Sequence, residues 1–179
     1  AQWGDLDTVA LLVGAGANVN AANDLGVTPL YLASVNGSAA MVEKLLAAGA
    51  TPNAVAATGV SPLMQAVQSG NVDAVQALLR HGAKMDATEN SAGQTALMWA
   101  VAGRHPEVVR ALVMHGVDVR ARSRTNNVLI TVRGDGRDAD DGYGPSKVIQ
   151  TGGSTAMLFA AQKGCIECAK ALLAGGGNV

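Results

Sequence analysis

Apolar positions recur along this chain at a regular interval. One motif consists of a glycine, a Ser or Thr two positions later, and a Leu or Met two positions after that. It begins at Gly26, Gly59, Gly93 and Gly153. The first two intervals between these glycines differ by one position, and the third is nearly twice as long. A second motif, an apolar pair shortly before a glycine, falls at matching offsets: Leu11-Leu12, Leu45-Leu46, Leu78-Leu79, Leu112-Val113 and Leu172-Leu173. Sequences with a fixed period of roughly 20–50 residues form stacked arrays, so the pattern predicts five similar units whose apolar sides cover one another.

Each unit is predicted to contain two helices. The first helix begins after a Ser or Thr whose side chain can cap it: Thr28, Ser61, Thr95 and Thr155. It ends near a glycine suited to a left-handed conformation, and the second helix then begins at another capping residue, namely Asp5, Ser38, Asn71 or His105. Arg104 stands where other units have this glycine, so we expect that turn to be slightly shifted.

Two segments carry a family resemblance. Thr28-Pro29-Leu30-Tyr31-Leu32-Ala33 and Ser61-Pro62-Leu63-Met64-Gln65-Ala66 are similar to the T-P-L-H-x-A motif of ankyrin repeats, and Gly16-Ala17-Asn18-Val19-Asn20 is similar to the turn after the second helix. The resemblance implies an all-α solenoid of helix pairs joined by β-hairpin turns. The motif's His is replaced by Tyr31, Met64, Met98 and Leu158, which weakens the hydrogen-bond network that this His makes in the family.

The same alignment divides the chain into repeats. We number them as repeat 1 (partial, 1–22), repeat 2 (23–55), repeat 3 (56–88), repeat 4 (89–122), an insert (123–149) and repeat 5 (partial, 150–179). Both ends cut through a repeat, which predicts a fragment flanked by further repeats. Those repeats would cover Leu11, Leu12, Leu172 and Leu173.

The insert lies at the tip of a turn and is the part of the chain that has no counterpart in the other repeats. Residues 128–132 are rich in β-branched side chains and 147–150 could pair with them, with the Gly- and Asp-rich stretch 134–144 as the connecting loop. This pattern favours a lengthened β-hairpin. The alternative is a mobile surface loop without contacts. Such a loop is compatible with the fold, since a long insertion in a surface loop lowers the free energy of unfolding only slightly.

Composition excludes several classes of function. The 13 Lys and Arg residues balance 14 Asp and Glu, so the chain lacks the basic field that nucleic acid binding requires. Its apolar runs are far shorter than the roughly 18 residues that span a bilayer, so we expect no membrane insertion. No P-loop, dinucleotide fingerprint or nucleophile elbow is present, and the sequence therefore predicts a protein that is not an enzyme and has no cofactor.

Four sets of residues are candidates for chemical sites. Cys165 and Cys168 form a C-x-x-C, but they occupy positions that packing or capping residues hold in other repeats, which favours structural cysteines over a redox pair. The acidic stretch 135–142 lacks the spacing of a calcium loop, and the three His residues have no metal-site spacing, so no metal is expected. Trp99 and Phe159 share one slot of adjacent repeats, which predicts a contact between stacked helices rather than a ligand cage.

The resemblance implies a protein-binding scaffold whose concave surface consists of turn tips and first helices, with the insert adding specificity. Carried over by position, the partner-binding residues are Asp24, Leu25, Val27, Val35, Asn36, Thr58, Val60, Gln68, Ser69, Asn90, Gln94, Arg122, Gln162 and Lys163, with Tyr143 as an aromatic anchor in the insert. The partner is expected to be another protein and the fragment monomeric. The alternatives are a redox-active module that uses Cys165 and Cys168, or a spacer in a larger protein. The repeats are similar to those of bacterial ankyrin proteins, some of them exported, which leaves the compartment open between cytoplasm and periplasm.

Overall fold

The computed structural model describes residues 6–131 and 146–177, and for 127–131 and 146–149 it describes the backbone alone. In chain order the helices are α1 (Leu6–Gly14), α2 (Pro29–Val35), α3 (Ala39–Ala47), α4 (Pro62–Ser69), α5 (Val72–Arg80), α6 (Ala96–Ala102), α7 (Pro106–Met114), α8 (Ala156–Lys163) and α9 (Ile166–Ala174). Strands β1 (Thr125–Thr131) and β2 (Ser146–Gly152) lie between α7 and α8. None of the described helices is long and apolar enough to cross a membrane.

The helices form two rows, as the repeat pattern predicted. The first helices of repeats 2 to 5, α2, α4, α6 and α8, pack side by side, and the second helices α1, α3, α5, α7 and α9 form a parallel row. The core between the rows is aliphatic, and Leu30, Leu63 and Leu97 of successive first helices are each 1% exposed. Met64 and Met98, which replace the family's His, are also buried. The all-α solenoid is confirmed.

The predicted caps of the first helices are confirmed by hydrogen bonds. The hydroxyls of Thr28, Ser61, Thr95 and Thr155 each accept from the backbone N–H three residues later. At the second helices the prediction holds for Asn71, which accepts from Ala74 N, and fails for Ser38 and His105, whose side chains make no cap hydrogen bond. The His105 ring instead donates to the backbone carbonyl of Gln68 in the preceding repeat, at 3.2 Å.

The turn at Arg104 is not shifted, contrary to the expectation from sequence. Arg104 itself adopts the left-handed conformation, with φ of 59°, where Gly37 and Gly164 have φ of 62° and 63°. The backbone of repeat 4 therefore follows that of its neighbours and imposes on an arginine a conformation that favours glycine.

The predicted exposure of the terminal leucines is correct for three of the four. Leu11, Leu12 and Leu173 are 75%, 54% and 52% exposed. Leu172 is 1% exposed, because it lies in the core where α9 packs against α7 and α8. Its position in the Leu-Leu pair corresponds to the core residues Leu45 and Leu78.

The insert begins and ends in a β-hairpin, as its β-branched residues predicted. Strands β1 and β2 are antiparallel, with Val128 opposite Ile149 and Ile130 opposite Lys147. Pairing extends to Thr125 and Gly152, farther toward the stack than predicted. Below the strands, the backbone of Ser123 donates to Ser154 O and its hydroxyl accepts from Ser154 N, both at 3.0 Å. The base of the hairpin is thereby fixed to the turn of repeat 5.

Candidate protein-binding surface

The turn tips of neighbouring repeats are joined by backbone hydrogen bonds. Ala57 N donates to Leu25 O at 2.9 Å, and one repeat farther Asn90 N donates to Thr58 O at 2.9 Å. Arg124 N continues the series by donating to Ala92 O at 2.7 Å. The tips therefore follow one another at a constant spacing along the stack. We call the turn tips, together with the exposed sides of α2, α4, α6 and α8, the inner surface.

Most of the predicted binding residues are exposed on the inner surface. Val27 and Gln94 are half-buried, and the exposed ones are Asp24, Leu25, Val35, Asn36, Thr58, Gln68, Ser69, Asn90, Arg122, Gln162 and Lys163. Val60 is a correction: it is 8% exposed and belongs to the core, so it offers a partner little surface. Tyr143 lies outside the described residues. Whether any of these residues touches a partner stays a prediction.

The turn of repeat 4 is built around a buried carboxylate that sequence reasoning missed. Glu89 is 4% exposed, and its oxygens accept from the backbone N–H groups of Ser91, Ala92 and Gln94 at 2.6, 2.9 and 3.0 Å and from the Ser91 hydroxyl. Burial is the largest influence on the pKa of Glu89 and raises it, but these hydrogen bonds together outweigh burial and lower the pKa from 4.5 to about 2. Glu89 is therefore an anion that fixes the backbone before Gln94.

The extra residue in this turn explains why a glutamate is present. The equivalent position in repeat 2 is Asn23, whose shorter side chain accepts from Leu25 N and Val27 N at 3.0 Å. The interval from Gly59 to Gly93 exceeds that from Gly26 to Gly59 by one position, so the loop of repeat 4 is one residue longer. A longer side chain is needed to reach the N–H groups of a longer loop. The extra residue in the loop and the glutamate beside it are the sequence features from which this contact could have been predicted.

A shallow groove lies on the inner surface between repeats 3 and 4. It is lined by Gln68 of α4, Gln94 of the turn, and Trp99, Ala102 and Gly103 at α6. The structure thus brings together two of the predicted binding residues, Gln68 and Gln94, around an aromatic ring that the sequence assigned to packing. Trp99 does pack against the core, but its indole N–H has no hydrogen-bond partner among the described residues.

The two cysteines form a disulfide at the start of α9. Cys165 is the N-cap residue, Cys168 lies in the first turn, and the pair is closed across three positions. Their structural role was predicted, whereas their covalent pairing was not. Cys165 and Cys168 are 7% and 0% exposed, and a disulfide that exchanges with a substrate requires an accessible sulfur.

The described residues offer no metal site. Among residues 6–131 and 146–177, no three His, Cys, Asp or Glu side chains cluster closely enough to hold an ion. The acidic stretch 135–142, which the sequence interpreted as a solvated loop, lies outside the described residues.

Ion pairs are found on the second helices. Arg80 of α5 pairs with Glu43 of α3, and Arg110 of α7 pairs with Glu167 of α9, at 3.3 and 3.4 Å. A hydrogen bond and the charge of Lys170 lower the pKa of Glu167. These pairs link consecutive repeats along the second-helix row, away from the inner surface, where the exposed predicted residues are mostly uncharged.

Comparison with known proteins agrees with this geometry. A family model described as ankyrin repeats (3 copies) matches residues 36–123, one described as ankyrin repeats (many copies) matches residues 1–46, and one described as ankyrin repeat matches residues 152–179. A search of curated proteins found no match. Since these matches cover the chain on both sides of the insert, the protein belongs to the ankyrin repeat family, whose repeats generally mediate protein–protein interaction and are typically not enzymatic.

Proposed function

We propose that this chain is a non-catalytic scaffold that binds another protein through its inner surface, with the hairpin of the insert adding contacts. The observation that carries the proposal is the row of hydrogen-bonded turn tips, which holds Leu25, Thr58 and Asn90 at regular positions beside the first helices. A surface that is fixed before binding loses little conformational entropy when a partner docks. Exposed apolar side chains such as Leu25 and Val35, 63% and 44% exposed, supply area for burial.

The hairpin supports the second part of the proposal. It starts from the same row of turn tips, because Arg124 N continues the tip-to-tip hydrogen bonds while Thr125 begins β1. The Arg124 side chain also donates to Asn90 O at 2.6 Å and so ties the hairpin base to the preceding turn. A partner seated on the inner surface would therefore meet the hairpin at one end of its footprint.

The test is affinity capture from a native lysate, with bound proteins identified by mass spectrometry. Two baits are compared, the whole chain and a variant without the hairpin. The bridge between Arg122 and Thr155 has the same form as that between Thr88 and Thr95, so replacing 125–152 with the Ser-Ala of positions 91–92 gives a turn of the same length as that of repeat 4. This deletion keeps Ser123 and Ser154, which hold the base of the turn.

The outcomes separate the two parts of the proposal. A partner captured by the whole chain and lost with the short-turn variant supports both the scaffold and the role of the hairpin. A partner retained by both baits removes the hairpin from recognition. A third bait with Leu25→Asp and Val35→Asp then tests the inner surface, and unchanged capture by this bait would contradict binding there. No specific partner with either of the first two baits would favour a spacer.

A further inference from the structure

The groove beside Trp99 is small and open rather than enclosed. Its volume is about 290 Å³ and it is open to solvent along the inner surface. Pockets that hold small molecules measure roughly 300–1,000 Å³ and enclose most of the ligand. An open groove at the lower limit of that range, in the middle of a protein-binding surface, suits one side chain of a docked protein.

The indole of Trp99 carries a hydrogen-bond donor that the free protein leaves unused. Its Nε1 atom is buried and has no acceptor in the part of the chain that the structure describes. A buried N–H without an acceptor destabilises the free protein, and in most proteins such donors are paired. A docked oxygen that reached this N–H after a small rotation of the ring or of a neighbouring side chain would remove that cost.

The groups around the indole favour an occupant that only accepts hydrogen bonds, such as a carboxylate. The carboxamides of Gln68 and Gln94 line the groove, make no side-chain hydrogen bond within the described residues, and are free to donate. No Asp or Glu of the described residues lines the groove, and Arg104 follows the lining residue Gly103 directly in the chain. The carboxylate of Glu89 lies behind Gln94, but its oxygens already accept four hydrogen bonds.

We propose that this groove binds an acidic side chain, Glu or Asp, on a peptide segment of the partner protein. The carboxylate accepts from the Trp99 indole N–H and from a Gln68 or Gln94 amide, while the methylene groups of the acidic side chain lie against the indole ring and Ala102. Charge-assisted hydrogen bonds in a partly dry groove are stronger than those between neutral groups. The inference rests on the proposed function, since it names the chemistry that one part of the inner surface recognises.

The test begins with a random-peptide library displayed on phage and selected on the folded chain. Peptides that bind are synthesised, and their affinities are measured for the wild type and for Trp99→Phe, which keeps an aromatic ring but removes the N–H. We expect the selected peptides to share a Glu or Asp, and we expect Trp99→Phe to weaken binding about tenfold. Changing the shared Glu to Gln in the peptide is expected to weaken binding by a similar factor.

Two further variants keep the test informative if Trp99→Phe is poorly folded. Gln68→Ala removes an exposed side chain at the groove, and Gln76→Ala removes a glutamine of α5, in the second-helix row away from the inner surface. We expect weaker binding with the first and unchanged binding with the second. In a Trp3→Phe background, Trp99 is the remaining tryptophan, so its indole N–H resonance reports directly whether the peptide reaches it.

Several results would overturn the inference. Selected peptides without a shared acidic residue, equal affinity for Trp99→Phe and wild type, or an indole resonance that does not move on saturation would each exclude this mode of recognition. If no peptide is selected at all, the inference also fails. The scaffold proposal is judged separately by capture of a native partner, so failure of this inference can be told apart from failure of the scaffold.

Discussion

The carboxylate of Glu89 accepts a hydrogen bond from the backbone N–H of Gln94, five residues along the chain, at 3.0 Å. This contact closes the longer turn of repeat 4 and fixes Gln94 at the edge of the Trp99 groove. The pKa of Glu89, lowered to about 2, means that the folded protein prefers the ionised carboxylate. The stability of this turn is therefore linked to pH.

We predict that the free energy of unfolding falls in acid partly because of Glu89. Since its folded pKa is below the ordinary value of 4.5, the contribution is complete above about pH 5 and is lost as the pH falls toward 2. The difference corresponds to about 3 kcal/mol. Urea titrations at a series of pH values measure it. Glu89→Gln should be less stable at neutral pH and should lose much of the acid dependence.

The control for this prediction is Asp24→Asn in repeat 2. Asp24 is an exposed carboxylate in the turn one position after Asn23, the counterpart of Glu89. The Asp24→Asn variant is expected to keep the acid dependence of the wild type. Equal pH dependence for Glu89→Gln and the wild type would show that the turn does not stabilise the anion.

Arg104→Gly is predicted to stabilise repeat 4. A non-glycine residue at φ near 60° costs roughly 1–2 kcal/mol, of which the greater freedom of glycine in the unfolded chain cancels a part. We expect a net gain of about 1 kcal/mol, measured by urea unfolding. The matched variant is Gly164→Ala, because Gly164 has φ of 63° and an added Cβ there would meet no atom within 4 Å. It should lose about as much as Arg104→Gly gains, and two changes of the same sign would contradict this explanation.

Sequence analysis succeeded at the caps of the first helices, where a residue acts on the backbone that follows it directly. Thr28 and Thr155 cap their helices because a hydroxyl before a helix reaches an N–H three residues later, which the order of residues alone reveals. It failed where the partner lies in another repeat or where the turn length changes. His105 binds Gln68 O in the preceding repeat, and Glu89 acts only because its loop is one residue longer. The Trp99 groove likewise depends on how α4 and α6 lie side by side, which no single motif records.

Asp86→Asn is predicted to complete a series of hydrogen bonds between repeats. Asn20 donates to Gly49 O and accepts from Thr51 N at 3.0 and 2.7 Å. Asn53, at the equivalent position of the next repeat, does the same with Gly82 O and Lys84 N at 3.0 and 2.8 Å. Asp86 occupies the next equivalent position but as a carboxylate has no N–H to donate.

The amide of the Asp86→Asn variant would donate to Gly116 O, which is the counterpart of Gly82 O. The added hydrogen bond is expected to raise the free energy of unfolding by about 1 kcal/mol. The gain is no larger because the site is exposed. The reverse change, Asn53→Asp, should reduce stability by a comparable amount. If Asn53→Asp were as stable as the wild type, these bridges would contribute nothing and the gain at position 86 would have no basis.

Reduction of the disulfide is predicted to loosen the last repeat. Closing a loop across three positions removes conformational freedom from the unfolded chain, and the loop-entropy estimate for so short a loop is about 2 kcal/mol. In the second-helix row α9 has a described neighbour only at α7, so fewer helices hold it in place than hold α3, α5 and α7. We expect a lower thermal midpoint in the presence of a phosphine reductant. Both sulfurs are buried, so reduction should be slow at low temperature and faster near the midpoint.

A variant that replaces both cysteines with the residues of repeat 3 separates the effect of breaking the disulfide from any other effect of the reductant. The variant is Cys165→Asn with Cys168→Ala, because the equivalent positions of repeat 3 are Asn71 and Ala74. Asn71 caps α5 by accepting from Ala74 N at 3.0 Å. This variant should melt at the same temperature with and without reductant. It should also retain part of the stability, since the new side chain supplies the cap hydrogen bond that Cys165 lacks. Titration of two free thiols in denaturant confirms that the wild type has been reduced. If the thermal midpoint of the reduced wild type is then unchanged, the disulfide does not stabilise α9.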